Sequence, residues 1–237
     1  MNKNESKHRE IADGMLPIQP DFQVKQVKCY NIDCMAFMKT IPDNFYELAI
    51  VDPPYGIERF KKCKQNEDIN TKDVFANKFL GNEKFNNTKP TKEYWVELFR
   101  VSKNQIVWGA NNFIMPESEY FLIWDKKQAM PNFARCEYAW VSMGLKKPAK
   151  ICEFSIHKHN QVKKIHSTQK PVQLYKWILQ NYAKSGDKII DTHGGSFSSG
   201  CACLDMGFDI DIMEIDKEYF DDAVNRLKNN VQEYLEF

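Results

Sequence analysis

The sequence predicts an α/β fold: a mostly parallel sheet with helices on both faces. Three observations lead there. Short apolar runs of strand length alternate along the chain with longer segments of helical spacing. Two of those runs end in an aspartate, Asp52 and Asp191, and each is followed by residues that close the strand. The alternation continues through most of the 237 residues without an internal repeat.

Residues 1–23 read as an N-terminal tail and 24–237 as a single domain. Residues 24–31 (VKQVKCYN) alternate as a strand does, and 34–40 read as a short helix. The run 48–52 (LAIVD) is stopped by Pro53-Pro54, since proline lacks a ladder donor and cannot sit inside a helix. Residues 56–90 are polar, rich in Asn and Lys and without period, as a functional loop or a disordered one would be. In 91–102 (TKEYWVELFRVS) a Thr cap, an early acid and the spacing of Trp95, Leu98 and Phe99 predict a helix. Strands are expected at 105–109, 120–125, 137–143 and 151–156. Pro171 opens a helix through Ala183. Strand 188–191, a Gly/Ser loop, helix 198–206, strand 208–214 and an acidic helix 217–230 complete the chain.

Composition narrows the class. Hydrophobic residues make up 43% and charged residues 27%, close to the globular average, which excludes intrinsic disorder. The start, MNKNESKHRE, is polar with no apolar stretch behind it, and no run of about 18 apolar residues follows. Neither a secretory leader nor a membrane span is expected. Seven cysteines, scattered through apolar segments, fit a reducing, cytoplasmic setting better than a disulfide framework. The net charge of +1 hides an asymmetry: residues 145–170 carry seven lysines against one acid, whereas 186–237 carry four bases against twelve acids. Such a split suits a polyanion that meets one face only.

Asp191-Thr192-His193-Gly194-Gly195-Ser196-Phe197-Ser198-Ser199-Gly200 is the most informative segment. An apolar strand feeds an acid, then paired glycines, then a small-residue helix start. Glycines let backbone approach a ligand closely, and a helix N-terminus favours acceptor groups. Glu214 ends the next strand, where a nucleotide-type fold places the acid that accepts from ribose hydroxyls. The segment is not the dinucleotide GxGxxG, because Phe197 fills its last glycine position. Only one helix follows Glu214, so a third strand for this half must come from upstream. Strand 24–31 is the candidate, which would bring Asp33 to the adenine amino group of the ligand. Asp33 also fits as N-cap of helix 34–40.

Asp52-Pro53-Pro54-Tyr55 forms a second constellation, at a strand end of the kind that binds ligands in open α/β sheets. Two prolines stiffen the backbone and leave carbonyls free to accept. Asp52 and the Pro53 carbonyl can each accept one hydrogen of an amine, and Tyr55 can stack on the ring that bears it.

These segments resemble the motifs of the amino-methylating DNA methyltransferases. Asp52–Tyr55 is similar to their DPPY motif, His166-Ser167-Thr168-Gln169-Lys170-Pro171 to HxTQKP, and Asp191–Gly200 to the DPFxGSGTT loop. The catalytic motif precedes the cofactor loop, as in the circularly permuted β-class. Ile41-Pro42-Asp43-Asn44, Trp108-Gly109-Ala110-Asn111 and Trp124-Asp125-Lys126 are further matches, and the resemblance covers about residues 24–230. Thr192 and His193 depart from it, as does Phe197, which would either narrow the pocket or replace a packing contact. The resemblance implies a Rossmann-like sheet and transfer of a methyl group from S-adenosylmethionine to an exocyclic amine in double-stranded DNA. Adenine N6 is the expected target, with cytosine N4 or a catalytically inactive relative as alternatives. Methylation at cytosine C5 would need a cysteine after proline, and no Pro-Cys pair exists. The target base has to leave the duplex. Catalytic roles then fall to Asp52, Pro53, Pro54 and Tyr55. Cofactor contacts fall to Asp33, Thr168, Gln169, Lys170, Asp191, Thr192, His193, Gly195, Ser196 and Glu214. A type of chain used in restriction–modification, able to form a homodimer and needing no metal, is implied as well.

The remaining conspicuous residues have plainer readings. Cys201 and Cys203 suit core packing. His157 and His159 lack further ligands at zinc spacing and read as part of a basic DNA-facing strand or loop. Trp95, Trp108, Trp124, Trp140 and Trp177 lie in apolar segments and read mostly as core. Phosphate contacts are expected from Lys61, Lys62 and Lys64 in the long loop. A short target-recognition segment, 145–169, adds Lys146, Lys147, Lys150, Lys158, Lys163 and Lys164.

Overall fold

Strands β1 (Phe22–Val24), β2 (Val27–Tyr30), β3 (Tyr46–Val51), β4 (Ser102–Trp108), β5 (Phe121–Asp125), β6 (Cys136–Val141), β7 (Lys150–Glu153), β8 (Lys188–Asp191) and β9 (Asp209–Met213) build one sheet. Its order is β1-β2-β9-β8-β3-β4-β6-β5-β7. The computed structural model describes residues 18–56, 88–131, 133–160, 164–166 and 168–235. Five of the neighbouring pairs run parallel, and β1–β2, β4–β6 and β5–β6 run antiparallel. The expected upstream strand does lie beside the last one: Val27 pairs with Ile210 and Tyr30 with Met213.

The helices are α1 (Cys34–Met38), α2 (Lys92–Val101), α3 (Ile156–Asn160), α4 (Val172–Tyr182), α5 (Ser198–Met206) and α6 (Lys217–Leu235). Strand alternation divides the core in two. Leu48, Ile50, Ile106, Trp108 and Ile212 bury one sheet face against α4, α5 and α6. Ala49, Val51, Val107 and Ile190 bury the other against Phe37 and Met38 of α1 and Tyr94, Leu98 and Val101 of α2. A period of two in the strands thus feeds two cores of helical period.

Three expectations are corrected. Residues 24–31 are not one strand: Lys25 adopts φ 49° and turns the chain, so that Val24 faces Val27 across a hairpin. The fold therefore takes in Phe22 and Gln23, placed in the tail from sequence. The strand expected at 151–156 stops at Glu153, and Ile156–Asn160 is helical instead. Here Ile156 N–H donates to the Lys126 carbonyl at 2.8 Å, which draws the chain off the sheet edge. Among the described residues, no helix is long and apolar enough to cross a membrane.

Candidate active site

Four strand ends meet at one edge of the sheet. β2 leads to Asp33, β9 to Glu214, β8 to the loop 192–197, and β3 to Asp52. β3 and β8 are adjacent, and the chain runs outwards from them in both directions. Ligands of open α/β sheets bind at such a reversal point. A cavity of about 810 Å³ opens there, with Asp33, Asp52, Pro53, Pro54, Tyr55, Thr192, His193, Gly195, Ser196 and Glu214 on its walls. Thr168, Gln169 and Lys170 line it too.

At the Glu214 end the groups are acidic and ordered. Glu214 Oε2 accepts the Gly195 N–H at 2.9 Å and Oε1 the Asp216 N–H at 2.8 Å. Burial raises its carboxyl pKa. Asp33 caps α1 by accepting the Met35 N–H at 3.0 Å while still facing the cavity. The His193 ring stands edge-on to Tyr94, 5.3 Å between centroids, and its Nδ1 lies 2.9 Å from Thr192 Oγ1. Burial pushes its pKa down to about 4, so the ring is neutral at pH 7. His166, quoted above only as part of a motif, also faces the cavity, with its ring 4.4 Å from Tyr219.

Asp191 is placed differently from expectation. It does not line the cavity. Its carboxylate is taken up by Ser199 Oγ at 2.6 Å and the His193 N–H at 3.1 Å, which folds the loop from beneath. Burial lifts its pKa to about 7. Phe197 is fully buried, edge-on to Phe220 at 5.8 Å, and points away from the cavity. It therefore fills core space and leaves the pocket open. Gly194 has no room for a side chain, because a Cβ there would stand 2.4 Å from Ile212 and 2.6 Å from Phe197.

At the Asp52 end the groups form a buried charge cluster. Tyr55, expected to stack on the target ring, lines the cavity, and its hydroxyl donates to Asp52 Oδ1 at 2.5 Å. Its ring meets Phe113 at 6.1 Å and 68°. Lys170, expected to touch the cofactor, lines the cavity and gives its ammonium to Asp52 Oδ2. The same nitrogen lies 3.3 Å from Glu137 Oε2, and Lys126 holds Glu137 Oε1 at 2.7 Å. Burial alone would depress the Lys170 ammonium, yet Asp52 and Glu137 outweigh it and hold the pKa well above its usual value. Burial of Glu137 is likewise outweighed by Lys170 and Lys126, which keep it ionised. The Lys170 carbonyl accepts Ser198 Oγ at 2.7 Å, tying this cluster to the loop after β8.

Sequence reading missed Glu137 and the cavity-facing role of Lys126. The signal available was an acid at the head of an otherwise apolar strand. Lys164, expected on DNA phosphates, lines the cavity instead, where burial lowers its pKa. Lys146, Lys147 and Lys158 are exposed, as phosphate contacts require, and Lys150 is half-buried. Lys61, Lys62, Lys64 and Lys163 lie outside the described residues. His159 is buried rather than DNA-facing, bonding the Gln169 carbonyl at 2.7 Å. Cys201 and Cys203 sit in the core.

Similar proteins point the same way. A family model described as DNA methylase, for N6 and N4 methyltransferases, matches residues 46–225. The type II methyltransferase M.HinfI of Haemophilus influenzae is 24% identical over 244 residues, covering 83% of this chain and 67% of its own. Among solved structures, that of the M1.HpyAVI–SAM complex aligns with a TM-score of 0.54 at 19% identity, covering 84% of this chain and 99% of its own. The cytosine-N4-specific PvuII DNA methyltransferase aligns with a TM-score of 0.54 at 11% identity, covering 90% and 94%. The fold is shared with both structures, and the family match runs from β3 into the first half of α6 and takes in Asp52, Lys170 and Glu214, so this chain belongs to the N6/N4 DNA methylase family.

Proposed function

We propose that the chain methylates N6 of adenine in double-stranded DNA, with S-adenosylmethionine as methyl donor. The observation that carries this reading is Asp52: a carboxylate at a rigid strand end, opening into the same cavity as Asp33 and Glu214. The residues fit the donor. Its hydroxyls and amine are hydrogen-bond donors, and Asp33 and Glu214 offer acceptors. Its carboxylate needs a donor, and the buried Gln169 Nε2 has no partner among the described residues.

Asp52 and the Pro53 carbonyl act on the target amine. Its nitrogen lone pair is delocalised into the ring and is a poor nucleophile. Two acceptors on its hydrogens draw the nitrogen towards pyramidal geometry and localise the pair, while fixing its approach. Bound S-adenosylmethionine would supply a methyl carbon on a sulfonium sulfur that leaves as the neutral thioether, and the proton lost by the methylated amine would pass to the Asp52 carboxylate and on to solvent. The neutral His166 and His193 rings add no competing positive charge.

Cytosine N4 offers the same two hydrogens, so the product decides between the bases. Purified protein, S-adenosylmethionine with a deuterated methyl group and duplex DNA are incubated, and the nucleosides are separated by mass spectrometry. Labelled N6-methyldeoxyadenosine supports the reading; labelled N4-methyldeoxycytidine replaces adenine with cytosine. Label in neither nucleoside refutes both.

A further inference from the structure

Both oxygens of the carboxylate that is to accept the target amine already carry a donor. Tyr55 donates to Asp52 Oδ1 at 2.5 Å, and the Lys170 ammonium occupies Oδ2. An incoming N–H competes with these two donors for the lone pairs of the same carboxylate. Tyr55 is the fixed partner, its ring wedged between Gly109 and Phe113. Lys170 has somewhere else to go.

Its ammonium is 3.3 Å from Glu137 Oε2 and 3.4 Å from the Tyr55 hydroxyl. The rings of Trp108 and Tyr55 stand 5.5 and 5.9 Å away. With the side chain only 5% exposed, retreat into water is closed to it. A buried ammonium that lost its carboxylate without replacement would be severely destabilised. Glu137 is built to be the replacement. It lies opposite Trp124 on β6, and Lys126 fixes its outer oxygen at 2.7 Å, leaving the inner one turned to Lys170.

We propose that Glu137 is a positioning residue that receives the Lys170 ammonium when the target amine takes its place on Asp52. The ammonium gives up one of its two ion pairs and tightens the other. No covalent bond changes, the net charge of the cluster stays constant, and Asp52 is screened until a base arrives. The proposal rests on Asp52 as amine acceptor.

The test compares Glu137→Gln, Lys170→Met and the double variant with wild type, by transfer of a tritiated methyl group from S-adenosylmethionine into DNA. Glutamine keeps the size of Glu137 but cannot neutralise Lys170, so the ammonium stays locked on Asp52. Turnover of Glu137→Gln should fall at least 10-fold, with calorimetric affinity for S-adenosylmethionine unchanged. Adding Lys170→Met frees Asp52, so the double variant should exceed Glu137→Gln several-fold. Wild-type turnover in Glu137→Gln, or no gain in the double variant, overturns the proposal. If Glu137→Gln does not fold, as judged by thermal melting, the double variant is compared with Lys170→Met alone. Equal turnover supports the proposal, because nothing is left for Glu137 to receive, and a further large loss overturns it. A wild-type protein that transfers no label fails at the reading of Asp52 itself, a result distinct from either.

Discussion

The ring of Tyr55 occupies the space that a side chain at position 109 would need: a Cβ on Gly109 would stand 2.1 Å from Tyr55 Cε1. Gly109 also holds φ 63°, where an L side chain costs about 1–2 kcal/mol. Gly109→Ala should therefore push Tyr55 off Asp52 as well as strain the turn after β4. The expected result is a melting temperature lower by several degrees and a fall in methyl transfer larger than that loss explains. Unchanged transfer would show that the Tyr55–Asp52 bond is dispensable.

Glu214 is expected to set cofactor affinity. Removing its charged acceptor in Glu214→Ala should weaken S-adenosylmethionine binding by about 1.5–3 kcal/mol. Calorimetry reads this directly. Equal affinity in variant and wild type would remove Glu214 from the ribose site.

DNA affinity should depend on salt through the exposed lysines. Lys146 follows a 3-10 turn, Met143–Leu145, and Lys147 is exposed beside it. Each phosphate contact contributes a slope of about −0.9 in log affinity against log salt. Replacing both with Ala should flatten the slope by about two units with base preference kept. Lys164, which faces the cavity, should instead change turnover.

Acid should destabilise the fold through its buried imidazoles. His166 and His193 have pKa values of about 4, held down by burial, against an ordinary value of 6.5. The unfolded chain then binds more protons between pH 4 and 6.5, so their contribution to stability is lost as pH falls through that window. Asp191 works the other way: its pKa is raised to about 7, so its contribution declines as pH rises from about 4 to 7. His193→Asn should flatten the acid-side fall in melting temperature relative to wild type. An identical pH profile would show that His193 is not held neutral.

Much of this was legible in the sequence because it was local. Strand 188–191 and helix 198–206 have the bounds that their apolar run and small-residue start suggest. The pairing of β2 with β9 followed from counting the strands a nucleotide-binding half needs. What was hidden depends on distance. The Lys25 turn carries neither Gly nor Asn, so nothing in VKQVKCYN announces it. The Lys170–Asp52 pair joins residues 118 apart, and Glu137 matters only because β6 runs antiparallel to β4 and β5 and brings its head to the site. Phe197 marks the remaining gap: its left-handed φ of 53° explains why a glycine suits the position, and its complete burial explains why phenylalanine is held there.

Asp52 carries the central claim, and Asp52→Asn tests it most directly, since asparagine keeps the shape but removes the charged acceptor. Methyl transfer into DNA and calorimetric binding of S-adenosylmethionine are measured on the same preparation. The account predicts turnover lower by orders of magnitude with cofactor affinity within a few-fold of wild type. Turnover near wild type would contradict it.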